Sequence, residues 1–274
     1  MTLFRYAVVG NPISHSKSPQ IHSMFASQTK QNIEYSAILA DIDGFSIAAD
    51  AFFSGGGKGL NVTVPFKRDA FDYATRTTDR AAKARAVNTL VLEKDGTIVG
   101  DNTDGIGLLN DICSNLGWEI KSKKILILGA GGAVQGILQP LLDMHPQHIV
   151  IANRSVDRAL TLAKRFSESG YLLGCALDML DGQEFDVIIN GTSVGLSGGN
   201  LSLPASLFGT HPTYCYDLMY GARPTTFLQK ASQFGAITAD GLGMLVEQAA
   251  EAFAIWRGVK PITKDIIKMM RDSL

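Results

Sequence analysis

Apolar positions in the first hundred residues fall into short blocks separated by turn-forming residues. Tyr6 to Val9 is an apolar run ended by Gly10-Asn11-Pro12, the pattern of a buried strand and its exit loop. Ser18-Pro19 offers a helix cap followed by proline at the first helical position, and Ile21, Met24 and Phe25 repeat at helical spacing. Ile33 to Leu39 predicts a second strand, with a helix after Asp43. Leu60 to Val64 alternates like a third strand, ended by Pro65. Val87 to Leu92 and Thr97 to Val99 flank Lys94-Asp95-Gly96, a hairpin signal. Further on, Lys124 to Leu128 is a continuous apolar strand, followed by a glycine-rich turn and the helical pattern Ile137, Leu138, Leu141, Leu142. Strands at His148 to Ala152, Phe185 to Ile189 and Thr213 to Tyr216 continue the alternation. Such alternation predicts βαβ units and a mainly parallel sheet. Two helices, Met244 to Trp256 and one from Thr263, close the chain.

The helix near Gly105 to Leu116 and the loop near Gly235 to Gly241 read as crossings between two lobes. Residues 1–104 and 240–274 would form an α/β domain completed by C-terminal helices, and residues 105–239 a Rossmann-type domain with a parallel sheet. A chain of 274 residues fits two domains. With 46% apolar and 19% charged residues it is a folded globular protein. The 25 Lys and Arg against 26 Asp and Glu leave a net charge of -1, without the basic surplus of a nucleic-acid binder. No apolar run approaches the ~18 residues of a membrane span, and the opening run is too short for a signal peptide. Three cysteines, Cys113, Cys175 and Cys215, are odd in number and form no CxxC. The expectation is a soluble cytoplasmic protein, monomer or homodimer, with no nucleic-acid, membrane or metal partner.

Glycine is abundant, with 28 residues, and its placement carries chemistry. Gly129-Ala130-Gly131-Gly132-Ala133 lies between a strand and a helix, where a dinucleotide-binding turn belongs. Glycines allow the backbone to approach a diphosphate, whose charge the helix N-terminus stabilises. The next strand ends in Asn153-Arg154-Ser155, with Arg158 one turn later. NAD enzymes place a carboxylate there for the ribose 2′-hydroxyl. The guanidiniums here suit a 2′-phosphate instead, which predicts NADP over NAD.

Four polar clusters follow strand ends: Ser14 to Ser18, Asn61 to Lys67, Val87 to Thr89, and Asp101 to Gly105. Ligands of α/β sheets bind outside the carboxyl ends of strands. Hydroxyls, an amide, an ammonium and a carboxylate converging there suit a small polyhydroxylated acid. Taken singly each has a plainer reading: Ser18 caps a helix, Asn88 closes a turn, and Lys67 is a solvated lysine.

Read together, Gly10-Asn-Pro-Ile-Ser-His-Ser-Lys-Ser-Pro19, Asn61-Val-Thr-Val-Pro-Phe-Lys67, Ala86-Val-Asn-Thr-Leu90, Gly100-Asp-Asn-Thr-Asp-Gly105, the glycine turn and Ala239-Asp-Gly-Leu-Gly-Met-Leu-Val246 resemble the shikimate dehydrogenase family. The resemblance runs from residue 6 to past residue 250. It implies an oxidoreductase of aromatic amino-acid biosynthesis that uses NADP(H) to interconvert 3-dehydroshikimate and shikimate, in the cleft between the lobes. Carried over, the catalytic pair falls on Lys67 and Asp104. Substrate-holding positions fall on Ser16, Ser18, Thr63, Asn88, Tyr220 and Gln248. Cofactor positions fall on the turn from Gly129 to Ala133, on Asn153, Arg154, Ser155 and Arg158, and on Thr192, Ser193, Leu218, Gly241 and Asp79. Val134-Gln135 departs from the family, which commonly has a smaller residue and then Arg. Two neighbouring readings are a quinate-preferring enzyme and a sensor without turnover. The missing acidic residue near Asn153 argues against NAD-linked quinate enzymes, and retention of both Lys67 and Asp104 argues against a sensor.

Overall fold

The computed structural model describes residues 2–192, 203–208 and 212–274. The chain divides into two compact units: unit 1 holds Met1–Gly107 and Leu245–Met270, and unit 2 holds Leu108–Met244 and Arg271–Leu274.

Unit 1 runs β1 (Phe4–Gly10), α1 (Ser18–Thr29), β2 (Ile33–Leu39), α2 (Phe45–Ser54), β3 (Gly57–Val62), α3 (Lys67–Tyr73), β4 (Arg76–Thr77), α4 (Asp79–Ala84), β5 (Thr89–Leu92), β6 (Ile98–Asp101) and the start of α5 (Asp104–Leu109). Its six strands are ordered β2-β1-β3-β5-β6-β4. Parallel pairs join β1 to β2 and β3, while the predicted hairpin makes β5 and β6 antiparallel. One face buries Ala7, Val9, Leu60 and Val62 against Phe45 and Phe66. Across the sheet, Tyr6 stacks on Trp256 of α9 (Leu242–Arg257) with ring centroids 4.6 Å apart. The Trp256 indole donates to the Leu90 carbonyl at 3.0 Å. The later residues of α9 therefore complete a core begun by the first hundred.

Two expectations for unit 1 change. Ser18 is the first residue of α1 rather than its cap; Lys17 holds the cap position and makes no side-chain cap bond. Instead the Ser18 amide donates to Ser16 Oγ at 3.3 Å, which leaves the Ser18 hydroxyl for other partners. The two-residue β4 was not expected, being too short to show periodicity.

Unit 2 runs β7 (Lys124–Leu128), α6 (Gly132–Asp143), β8 (His148–Ala152), α7 (Val156–Arg165), β9 (Leu172–Cys175), β10 (Val187–Asn190), β11 (Tyr214–Asp217), α8 (Thr226–Gln233) and β12 (Ile237–Asp240). All its strand pairs are parallel, in the order β12-β11-β10-β7-β8-β9. Alternate residues feed two cores: Ile125, Ile127, Ile149, Ile151, Val187 and Ile189 on one face, and Leu126, Leu128, Val150 and Ile188 on the other. A sheet covered on both faces explains the continuous apolar runs. Edge strands lack that signature. The four-residue β9 carries no clear sequence signal, and β12, in the stretch that resembles a crossing loop, has exposed or half-buried residues throughout.

The crossings fall at Gly107/Leu108, Met244/Leu245 and Met270/Arg271, inside α5, α9 and α10 (Lys264–Asp272). A continuous helix produces no break in composition. After α5 the helix widens into a π turn over Asn110–Asn115. There the Leu116 amide donates to the Asp111 carbonyl five residues back, at 2.9 Å. Among the described residues no helix is long and apolar enough to cross a membrane.

His22 sits at the centre of unit 1 with no exposed surface. It stacks on Tyr35 at 4.1 Å and meets Phe25 edge-on. Burial pushes its pKa down to about 3. The unfolded chain binds this proton near pH 6.5 and the folded chain does not, so stability drops as pH falls through that window. The expected slope from this residue is about 1.4 kcal/mol per pH unit. His22→Phe keeps a ring in the stack and should flatten the slope in urea titrations between pH 6.5 and 4; an unchanged slope would assign the acid sensitivity elsewhere.

Candidate active site

The first turn of α3 presents Lys67, and the first residue of α5 is Asp104. The lysine Nζ donates to Asp104 Oδ2 at 2.6 Å. The lysine side chain is 19% exposed and the aspartate 7%. The other carboxylate oxygen, Oδ1, accepts from Asn88 Nδ2 at 2.7 Å. Asn88 Nδ2 also reaches Gln248 Oε1 at 3.3 Å, and Asn88 Oδ1 accepts from the Thr103 amide at 2.9 Å. A backbone donor on one side and a carboxylate on the other leave a single orientation for that amide. Gln248 Nε2 donates within its own helix to the Leu245 carbonyl at 2.8 Å. Lys67, Asp104, Asn88 and Gln248 thus form one bonded cluster, in which the Asn88–Gln248 bond joins residues 160 apart in the chain.

Ser16 and Thr63 follow the ends of β1 and β3, which lie side by side in the sheet. Thr63 donates its amide to the Val9 carbonyl at 3.0 Å. Tyr220 belongs to unit 2, where burial, aided by Asp240, pushes its phenol pKa up. Asp79, assigned above to the cofactor, opens α4 in unit 1 behind the Thr78 cap. Its neighbour Arg80 carries more structure, gripping Asp101 through Nε and Nη2, both at 2.7 Å. Burial pushes the Asp101 carboxyl up, but the bonds from Arg80 and Thr78 outweigh it and hold the group below its usual range. That fastens the end of β6, from which the Asp104 loop departs.

In unit 2 the glycine turn leads from β7 into α6. Gly129 has φ +103°, a conformation that disfavours side chains. Gly131, the cap residue of α6, makes no side-chain cap bond. A Cβ on Gly131 or Gly132 would meet nothing within 4 Å, and both glycines and Ala133 are exposed. The helix N-terminus is therefore open to an anion. Beside it lies a hollow of about 430 Å³ lined by Ala130, Gly131, Gln135, Arg158 and Arg165. Asp157 lines it too, so a carboxylate is present near Arg158 although none stands at the end of β8. Asn153 Nδ2 donates to the Ser155 carbonyl at 2.9 Å, shaping the turn that displays Arg154.

On the other side of β7, the ends of β10, β11 and β12 gather Thr192, Leu218 and Gly241. The Leu218 amide donates to the Asn190 carbonyl at 2.9 Å. A Cβ on Gly241 would lie 2.3 Å from the Leu218 carbonyl oxygen, so only glycine allows this approach. Ser193 lies outside the described residues.

Residues 8–90 match the pattern "Shikimate dehydrogenase substrate binding domain", residues 111–196 "Shikimate / quinate 5-dehydrogenase", and residues 241–268 "Shikimate 5'-dehydrogenase C-terminal domain". A protein of Cellvibrio japonicus named shikimate dehydrogenase (NADP(+)) is 55% identical over 98% of this chain and 97% of its own length. The chain belongs to the shikimate dehydrogenase family. Among solved structures, an Ael1 enzyme from Pseudomonas putida superposes with TM-score 0.92 at 48% identity, covering 97% of each chain. Shikimate 5-dehydrogenase of Thermus thermophilus, solved with NADP(H) and shikimate, superposes with TM-score 0.87 at 30% identity, covering 99% of this chain and 100% of its own.

Three supports were invisible as family motifs. Asn190 Nδ2 donates to Asp217 Oδ2 at 3.1 Å, across adjacent strands. Asn190 Oδ1 accepts from Thr192 Oγ1 at 2.8 Å, and Asp217 Oδ1 accepts from the Met219 amide at 3.0 Å. The pair thereby fixes Thr192 and Met219, just past the ends of β10 and β11. Second, Arg271 pairs with Asp240, and Asp240 also caps the start of α9 through the Leu242 amide at 3.2 Å. Third, the departure at Val134 has a local answer. Val134 is fully buried, and a Cβ on Gly191 would lie 2.4 Å from its Cγ2. Valine fits at this position of α6 because the facing residue is glycine.

Gly191→Ala should therefore destabilise the protein by about 1–3 kcal/mol, the usual effect of overpacking. Val134→Ala in the same chain should recover most of that loss. Urea denaturation of the single and double variants checks it, and additive losses would show that the two side chains do not meet.

Proposed function

We propose that this chain catalyses the reversible, NADP-dependent reduction of 3-dehydroshikimate to shikimate, with unit 1 holding the substrate and unit 2 the cofactor. The observation that carries the reading is the Lys67–Asp104 pair, a partly exposed ammonium fixed by a buried carboxylate. The motifs that carry or closely precede Ser16, Ser18, Thr63, Asn88 and Gln248 support the same reading, since their resemblance to the family implies substrate-holding roles for these residues. Its partners are small molecules. All three cysteines are free thiols, as suits a reducing cytoplasm.

The residues of unit 2 fit NADP. An uncapped helix N-terminus with open space above Gly131 and Gly132 would receive the diphosphate, and Arg154 and Arg158 beside Asn153 and Ser155 would grip the 2′-phosphate. Thr192, Leu218 and Gly241, gathered at the strand ends past the switch between β7 and β10, would line the nicotinamide side. The bound cofactor supplies or receives the hydride.

The chain itself orients the substrate and manages the proton. Ser16, Ser18, Thr63, Asn88 and Gln248 of unit 1 would bind the carboxylate and hydroxyls. Lys67 Nζ donates to the carbonyl oxygen, stabilises negative charge as it develops, and yields its proton there as the hydroxyl forms. In the reverse direction the same nitrogen takes the proton back. Asp104 holds Nζ in place through Oδ2. Each of its oxygens accepts one bond in the cluster described above and retains a lone pair, so the carboxylate can also accept from a substrate hydroxyl.

Absorbance of NADPH with shikimate or quinate, and with NADP or NAD, tests the reading. Shikimate with NADP should give the highest kcat/KM; binding without turnover would overturn it. Lys67→Ala should lower kcat far more than it changes the shikimate KM, in protein shown by its melting curve to be folded. Loss of less than about tenfold, only ~1.4 kcal/mol of barrier, would remove the lysine from the mechanism. Replacing Arg154 and Arg158 with Ser should raise the KM for NADP and leave that for NAD little changed.

A further inference from the structure

Asn61 does not appear among the residues assigned above, yet its amide is bonded at every polar position. Oδ1 accepts from the Tyr35 hydroxyl at 2.7 Å. Nδ2 donates to the Asn88 carbonyl at 3.3 Å and to Thr89 Oγ1 at 3.2 Å. Thr89 passes its own proton to Asn88 Oδ1 at 2.9 Å, and Asn88 donates to Asp104. A directed string of donors therefore runs from Tyr35 on β2 through β3 and the start of β5 to the carboxylate that holds Lys67.

Tyr35 is well placed to anchor such a string. Its ring lies flat on His22, with centroids 4.1 Å apart and planes within 6°, so the phenol is held in place. Burial keeps it protonated by pushing its pKa well above the ordinary value, with the Ser18 hydroxyl as a second partner. A phenol has one proton, and the Asn61 oxygen can only accept, so that proton is committed to Asn61. The phenol oxygen then stands as an acceptor for Ser18, whose hydroxyl is not used to cap α1.

We infer that Tyr35 is a positioning residue for the substrate, setting Ser18 on one side and the Asn61–Thr89–Asn88–Asp104 string on the other. The inference rests on the function proposed above, through the roles of Ser18 and Asp104. It also extends the site to a strand that carries no substrate-binding motif.

Tyr35→Phe removes one oxygen and keeps the ring on His22, and a melting curve checks that the variant is folded. The expected result is a rise of about tenfold in the shikimate KM, with the KM for NADP within twofold of the parent. The Ser18→Ala variant separates positioning from packing. If Tyr35 acts through Ser18, adding Tyr35→Phe to Ser18→Ala raises the shikimate KM by clearly less than it does in the parent. A shikimate KM within twofold of the parent for Tyr35→Phe, or effects of the two substitutions that simply multiply, would overturn the inference. The parent enzyme keeps the outcomes distinct: no shikimate turnover there ends the proposed function, whereas normal turnover with an indifferent Tyr35→Phe ends only this assignment.

Discussion

A carboxylate removed from water has to be surrounded by donors, and Asp104 is 5% exposed. Burying such a charge without partners costs several kcal/mol, so the surroundings of Asp104 are built to answer it. The Lys67 ammonium and the Asn88 amide each take one oxygen. Asn88 is in turn oriented by Thr103 and Thr89, and the loop carrying Asp104 leaves a strand whose end is clamped by Arg80 on Asp101. The first helices after β3 and β6 are thereby committed to positions that bring their opening residues together. The same arrangement that makes the carboxylate tolerable makes the ammonium directional. One set of contacts both answers the buried charge and fixes the ammonium.

Unit 2 meets a different constraint. Its sheet is covered on both faces, so helices must come close to strands, and side chains at the contact have to be traded against one another. Val134 and Gly191 show such a trade, and Gly241 against Leu218 shows the same principle where backbone meets backbone. Close packing of this kind leaves the strand ends, where Asn190 and Asp217 lie, as the places for polar chemistry. It also lets the first turn of α6 stay uncapped, because the rest of that helix is secured by its buried face.

Much of this was legible in the sequence, for reasons that differ by residue. Continuous apolar runs marked β7 and β8, since both faces of each are buried. Turn chemistry at Lys94-Asp95-Gly96 marked the hairpin. Lys67, Asp104 and Asn88 stood in motifs long enough to resemble one family. What could not be read was pairing across distance. Arg80 with Asp101, Asn190 with Asp217 and Tyr35 with Asn61 are ordinary residue types whose meaning depends on strand register. The edge strands β9 and β12 lacked periodicity because only part of each is buried. Ser18 suits a cap by residue type, yet Lys17 holds that position and Ser18 begins the helix.

Unit 1 is discontinuous, and that has a consequence for how the chain matures. Trp256, which roofs the sheet through Tyr6 and Leu90, and Gln248, which joins the Asn88 cluster, both follow the whole of unit 2 along the chain. During synthesis the first 107 residues emerge without Phe253 and Trp256, which share one face of their sheet with His22 of α1, and Leu108–Met244 is made before those residues appear. Unit 2 has its strands in one stretch and can close first. Unit 1 is complete only on the arrival of Leu245–Met270, so Gln248 can join the Asn88 cluster only after every described strand of both sheets has been made.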